Sequence, residues 1–310
     1  MNAETTRWHE LKIPSPLQKI ESPVFVEQQI SVFVKRDDLI HPEVSGNKWR
    51  KLKYNIEKFK AGNYHALLTF GGAYSNHIAA TAAFGNMAGV PTIGVIRGDE
   101  LHAQSNETLS AASKNGMQFH FVTRPEYQKR YNADFHAQLK TIFGNVYIVP
   151  EGGANKEGAV GCTEIIHELP FIPDYIYTAA GTGTTAAGLL AGSPGGCMIN
   201  TVAALKGGDF LFYDIQRRLQ SMSIEFPAAT ERINDLRLII DMHFGGYGKY
   251  NASLLTNMKS FTDAHNIPLD QVYTGKMVSA FLRDLQQGVF RKNSCVILLH
   301  TGGLQGAILY

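Results

Sequence analysis

The sequence predicts an α/β fold in which parallel-rich, twisted sheets are covered by helices. Three observations carry this. Short apolar runs alternate with segments of helical spacing from end to end, which is the rhythm of βαβ units. The runs are continuous rather than alternating, as strands buried on both faces are. The glycine-rich segments each follow such a run, and in open parallel sheets ligands sit beyond the carboxyl ends of strands.

Taken in order, residues 32–34 read as a strand leading into KRDDL, and 49–60 have helical spacing. ALLTF (66–70) is a strand, followed by GGAYSNH and a small-residue helix around IAATAAFGNMAG. Strands are expected over 92–96, 119–122 and 146–149, with helices over 103–115 and 126–142 between them. The second half repeats the pattern: strand 175–178, a Gly/Thr turn and a helix, strand 199–203, the helical FLFYDIQRRLQ, a strand over 236–240, a helix over 279–287 and a last strand over 296–300.

Composition excludes several classes. The chain has 310 residues, 44% hydrophobic and 18% charged, enough for one large core or two moderate ones. A net charge of +2 gives no support for a nucleic-acid or acidic-membrane partner. No apolar run reaches the roughly 18–20 residues of a membrane helix, and MNAETTRWHELKIPSP lacks the apolar core of a signal peptide. Cys162, Cys197 and Cys295 are widely spaced with no CxxC pair. A reducing, cytoplasmic setting is expected, without disulfides or structural zinc. The histidines at 41, 65, 77, 102 and 120 show no HxxxH or HxH spacing, so no metal is expected.

Three segments have the make-up of a site. GTGTT (Gly181–Thr185) follows a strand and opens a helix, where glycine lets backbone N–H groups approach an anion and threonine adds donors. It suits a phosphate. The GxGxxA spacing also occurs at dinucleotide sites, so a nicotinamide reading stays open here. GGAYSNH (Gly71–His77) could hold a carboxylate, although by itself Ser-Asn reads as a helix cap. SGNKWRKLKYN carries Lys48, Arg50, Lys51 and Lys53. The last three read as a solvated basic face. Lys48 sits at a helix start beside Gly46-Asn47, where helix placement and desolvation disfavour its ammonium, as Schiff-base chemistry requires. Asp37 and Asp38 are adjacent, so on a strand they would point to opposite faces, and a turn or cap role is expected.

In order and spacing, VKRDDL-HP-SGNKWRKL, TFGGAYSNH, AAGTGTTAAG, VYTGKM and HTGG resemble the 1-aminocyclopropane-1-carboxylate deaminase/D-cysteine desulfhydrase family. These are pyridoxal-phosphate (PLP) enzymes of the tryptophan synthase β-type fold. The resemblance runs from about Pro14 to the C-terminus. It implies two domains: a larger PLP-binding one (1–49 and 156–310) and a smaller inserted α/β one (50–155), with the N-terminal segment pairing into the larger sheet. It also implies that PLP lies between the domains and that the enzyme is a homodimer.

The resemblance assigns roles. Lys48 matches the lysine that forms the Schiff base and shuttles the α-proton. Ser75 matches a nucleophile or carboxylate ligand, with Tyr74, Asn76 and His77 beside the substrate. Asn76 matches the contact to the ring hydroxyl. Gly181, Thr182, Gly183, Thr184 and Thr185 match the phosphate turn. Tyr273, and more loosely Tyr247, match active-site tyrosines. Thr274 and Thr301 stand where ring-opening deaminases of the family carry Glu and Leu, a pairing like the desulfhydrase side. The chain departs from the family at Tyr74 (usually Gln), at Trp49 (usually Thr) and in lacking a basic residue after SNH. The implied reaction is β-elimination from a small amino acid, D-cysteine preferred, giving pyruvate, ammonia and hydrogen sulfide. The cyclopropane amino acid, D-serine, cysteate or another β-substituted amino acid are alternatives. A non-catalytic PLP or amino-acid binder and a nucleotide-binding protein resting on the Gly181 turn remain further readings.

Overall fold

The computed structural model describes residues 11–308; the polar opening stretch, 1–10, lies outside them. The chain begins with β1 (Leu17–Ile20), α1 (Pro23–Glu27) and β2 (Ser31–Lys35). There follow α2 (Asn47–Ala61), β3 (Ala66–Gly72), α3 (Asn76–Ala88), β4 (Thr92–Arg97), α4 (Glu107–Lys114), β5 (Gln118–Val122), α5 (Arg124–Gln128), α6 (Ala133–Phe143), β6 (Val146–Val149) and α7 (Lys156–His167). The remainder is β7 (Tyr175–Ala180), α8 (Thr184–Gly192), β8 (Met198–Ala203), α9 (Phe210–Ser221), β9 (Leu236–Ile239), α10 (Ala252–His265), α11 (Thr274–Gln286) and β10 (Cys295–Leu299).

The chain divides into two compact units. Residues 41–161 form one, and 12–40 with 162–308 form the other. The first holds a four-stranded, all-parallel sheet in the order β5-β4-β3-β6. The second holds a six-stranded sheet in the order β1-β2-β10-β7-β8-β9, parallel except that β1 runs antiparallel to β2. The N-terminal strand therefore joins the larger sheet. In each sheet the strand order reverses once, between β3 and β6 in the smaller and between β7 and β10 in the larger.

The expected boundaries at 49/50 and 155/156 differ from these, and the observed division puts Lys48 in the four-stranded unit. Packing explains it. Trp49 packs against Phe84 of α3, the rings tilted by 56° with 4.9 Å between centroids. Gly161 lies so close to α2 that a β-carbon there would stand 1.9 Å from the Arg50 carbonyl oxygen.

Other expectations need correction. The helix expected over 126–142 is two helices, because Asn132 caps α6 by accepting the Asp134 N–H. The helix expected from 279 starts five residues earlier, at Thr274. Helices α1, α7 and α10 were not anticipated from the pattern. Arg50 and Lys51 are not a solvated face: they are 0% and 5% exposed, on the side of α2 that packs inward. Asp37 and Asp38 sit in a short 3-10 turn after β2, both buried. Asp37 accepts the Ser15 hydroxyl at 2.6 Å, and Asp38 pairs with Arg36. Among the described residues no helix is long and apolar enough to cross a membrane.

The larger unit's core joins Val32 and Val34 of β2, Val296 and Leu298 of β10, and Met277 and Phe281 of α11. The last turns of α11 carry a buried carboxylate, Asp284. It accepts the Tyr177 hydroxyl at 2.6 Å and Arg237 at 2.7 Å, with Arg283 at 3.0 Å on its other oxygen. Burial alone would push this carboxyl up. The bonds from Arg237, Tyr177 and Arg283 outweigh it and hold the group below the ordinary carboxylate range. The ionised form thus adds stability above that range and loses it as pH falls. Asp284→Asn should cost about 3 kcal/mol in urea unfolding near neutral pH, since it removes the one carboxylate that pairs Arg237, while Arg283 keeps Asp241. The deficit should narrow as the pH is lowered through the carboxylate range.

Candidate active site

In the four-stranded unit, the turns after β3 and β6 flank the reversal of strand order, the usual place for a ligand in a parallel sheet. Gly46 opens α2 with φ +66°, ψ −149°, a conformation that glycine adopts without strain. This sets Lys48, half-buried, in the first turn, with its Nζ donating to Asn47 Oδ1 at 2.7 Å. Ser75 caps α3: its Oγ accepts the Ile78 N–H at 3.3 Å. Asn76, half-buried, is the first residue of that helix. Tyr74 is 77% exposed.

His77 is turned into the sheet. Thr69 Oγ1 gives its one proton to the Val149 carbonyl at 2.8 Å. In the 2.8 Å contact between Thr69 Oγ1 and His77 Nε2 the imidazole is therefore the donor. Burial, and then the charges of Lys48 and Lys51, hold this imidazole well below its ordinary range and so neutral. The side chain ties the first turn of α3 to β3 and β6. Its Nδ1 is buried without a hydrogen-bond partner and, with the proton on Nε2, can only accept, so the main-chain N–H is the one donor His77 has left.

In the six-stranded unit, the Gly181–Thr185 turn follows β7 and Thr301 follows β10, the two strands at its reversal. Gly183 takes φ +69°, and a β-carbon there would stand 2.7 Å from Ile215 Cγ1. A β-carbon at Gly181 would stand 3.2 Å from the Tyr273 hydroxyl oxygen, so the phenol rests against the turn. The hydroxyls of Thr182 and Thr184 are 3.0 Å apart.

Tyr273 is held by Asp270. This carboxylate accepts the N–H groups of Val272 at 2.9 Å and Tyr273 at 2.8 Å on one oxygen. Its other oxygen accepts the Thr274 N–H at 2.9 Å and the Thr274 hydroxyl at 2.7 Å. The Thr274 hydroxyl in turn accepts the Asp270 N–H at 2.8 Å. Tyr273 donates to the hydroxyl of Tyr247 at 3.2 Å, and Tyr247 is 58% exposed. Lys276, wholly buried, donates to the carbonyls of Ala204 and Gly246 at 2.9 and 2.8 Å, fixing the loop that carries Tyr247. Burial lowers its ammonium to about 8, with Asp270 acting the other way. The Thr301 side chain makes no hydrogen bond to another described residue.

Sequence reasoning missed Asp270, Lys276 and His300. An Asp shortly before a helix is a cap signal and could have been found. A lone lysine in an amphipathic helix reads as surface, so nothing flagged Lys276.

These residues fit PLP. The aldehyde needs an amine, and Lys48 is near enough to His77, after β3, for its charge to act on that imidazole. The phosphate needs N–H donors. Helices α3, α4, α6 and α10 have Ser or Asn caps, whereas α8 opens on Gly183 with no side-chain cap hydrogen bond. An uncapped helix start suits a phosphate.

A family model described as pyridoxal-phosphate dependent enzyme matches residues 10–302. The bifunctional D-cysteine desulfhydrase/1-aminocyclopropane-1-carboxylate deaminase, mitochondrial, of Arabidopsis thaliana is 27% identical over 95% of this chain and 77% of its own. The D-cysteine desulfhydrase of Klebsiella pneumoniae is 26% identical over 90% of this chain and 86% of its own. A crystal structure of an ACC deaminase homologue superposes with a TM-score of 0.78 at 24% identity, covering 98% of this chain and 94% of the other. The fold is thus the one the sequence led us to expect. Gly183→Ala should weaken PLP binding about ten-fold or more, through strain at φ +69° and the clash with Ile215. A fluorescence titration of the apoprotein with PLP measures it.

Proposed function

Because the chain belongs to the pyridoxal-phosphate dependent enzyme family, we propose that it is a deaminating lyase that eliminates the β-substituent of a small amino acid. D-cysteine is the preferred substrate, hydrolysed with one water to pyruvate, ammonia and hydrogen sulfide. The observation that carries this reading is the saturation of Asp270. Its two oxygens take three backbone N–H groups and the Thr274 hydroxyl, so the first turn of α11 offers no free carboxylate to a pyridine nitrogen. The Thr274 proton is spent on the same carboxylate. Of the two threonines singled out, Thr301 is the one whose hydroxyl has no partner among the described residues, and we assign the ring nitrogen to it. A neutral hydroxyl leaves that nitrogen unprotonated more often than a carboxylate does. A thiolate is a good leaving group and needs less electron withdrawal than the opening of a cyclopropane ring.

Bound PLP supplies the electron sink for the bonds broken at Cα and Cβ. Lys48 would hold the cofactor through its Nζ and would serve as the base that takes the Cα proton. The start of α3, with Ser75 and the N–H groups of Asn76 and His77, holds the carboxylate. Asn76 meets the ring hydroxyl, and the Gly181–Thr185 turn holds the phosphate. Tyr273, steadied by Asp270 and bonded to Tyr247, keeps a proton within reach of the departing sulfur. The reading includes a homodimer working in a reducing cytoplasm, which sedimentation and fractionation check.

The test is a substrate panel. Purified enzyme should release pyruvate fastest from D-cysteine, among D- and L-cysteine, D-serine, cysteate and 1-aminocyclopropane-1-carboxylate. Fastest turnover of the cyclopropane acid, which yields 2-oxobutyrate, would transfer the assignment to the deaminases. No product from any of them would favour a binder. Lys48→Ala should abolish the borohydride-sensitive visible band and lower turnover by about a thousand-fold or more; a persisting band would refute the lysine.

A further inference from the structure

His300 follows β10 directly and precedes Thr301, and its side chain is 1% exposed. The ring joins three segments of the larger unit. Nε2 lies 2.7 Å from the Pro268 carbonyl, which can only accept, so Nε2 carries the proton. Nδ1 accepts the Gly302 N–H at 3.3 Å. The main chain of His300 is bonded on both sides, its N–H to the Lys35 carbonyl at 2.9 Å and its carbonyl to the Asp38 N–H at 3.2 Å. Asp38 Oδ1 stands 3.4 Å from Nδ1, and that oxygen already accepts Arg36 Nε at 2.9 Å.

Pro268 leads into Asp270, and Gly302 follows Thr301. Gly302 and Gly303 both take positive φ, +76° and +93°, and neither has a side chain of its own to fix the turn. The Nδ1 contact is a hydrogen bond from the main chain of that turn to a buried ring.

We propose that His300 is a positioning residue for the cofactor: as the Nε2–H tautomer, it aims the Thr301 hydroxyl by holding the Gly302 N–H. The proposal rests on the reading that Thr301 meets the ring nitrogen. Asparagine can keep an acceptor where Nδ1 stands, and glutamine can keep a donor where Nε2 stands. The two contacts can therefore be separated.

The experiment is a double-mutant cycle on the holoenzyme, read as PLP affinity by fluorescence titration and as the position of the bound cofactor's visible band. His300→Gln should weaken PLP binding about ten-fold and shift the band. His300→Asn should stay near wild type in both. Thr301→Val should resemble His300→Gln, and adding His300→Gln to Thr301→Val should change nothing more. If the effect of His300→Gln persists undiminished in the Thr301→Val background, His300 acts on the fold alone and the proposal falls. It falls too if His300→Asn is the worse variant, because the Pro268 contact is then the one that matters. A silent Thr301→Val alone would overturn the assignment of Thr301 itself. A misfolded His300→Gln would show in its far-ultraviolet dichroism, and the comparison of His300→Asn with Thr301→Val then decides.

Discussion

Parallel pairing is the constraint on which the rest depends. Parallel neighbours can be joined only by a crossover, so all the parallel strands of a sheet deliver their carboxyl ends to one edge. Where the strand order reverses, successive crossovers leave to opposite sides and the edge stays open. In the smaller sheet this happens between β3 and β6, and in the larger between β7 and β10. The segments with chemistry are the ones at these two openings: Gly71–His77 after β3, Gly181–Thr185 after β7 and Thr301 after β10. Segments distant in the chain become neighbours within their own sheet through strand order alone.

Much of the framework was legible because it rests on local signals. The strand expected over 146–149 is β6, Val146–Val149, since a continuous apolar run can hardly be anything else in a doubly covered sheet. The N-terminus of α2 was legible through Gly46, whose positive φ explains why a glycine precedes Asn47 and Lys48. Helix α10 was not, because ASLLTNMKSFTDAH mixes polar and apolar residues and only Leu254, Met258 and Phe261 are buried. The break between α5 and α6 depends on a single asparagine cap inside an otherwise helical pattern.

The site was harder to read where a charge or hydroxyl changes meaning with its surroundings. Arg50, Lys51 and Lys276 are basic residues on helices, and in sequence such residues look solvated; all three are buried. Thr274 looked like a partner for the cofactor until its proton and its acceptance of the Asp270 N–H were accounted for. The burial of a carboxylate and its saturation by donors belong to tertiary structure. No spacing rule announces that Asp270 will take four donors and leave the adjoining turn electrically quiet.

The contact between Gly181 and Tyr273 has an evolutionary side. The phenol lies where a side chain at 181 would have to go. The dependence runs one way: a lineage that enlarges residue 181 must also shift or shrink residue 273 by a few tenths of an ångström or more, whereas a lineage that loses the phenol only gains room in the turn. The two positions are far apart in the chain, and the order of their changes is therefore constrained. Divergence on this scaffold would alter residue 273 before residue 181.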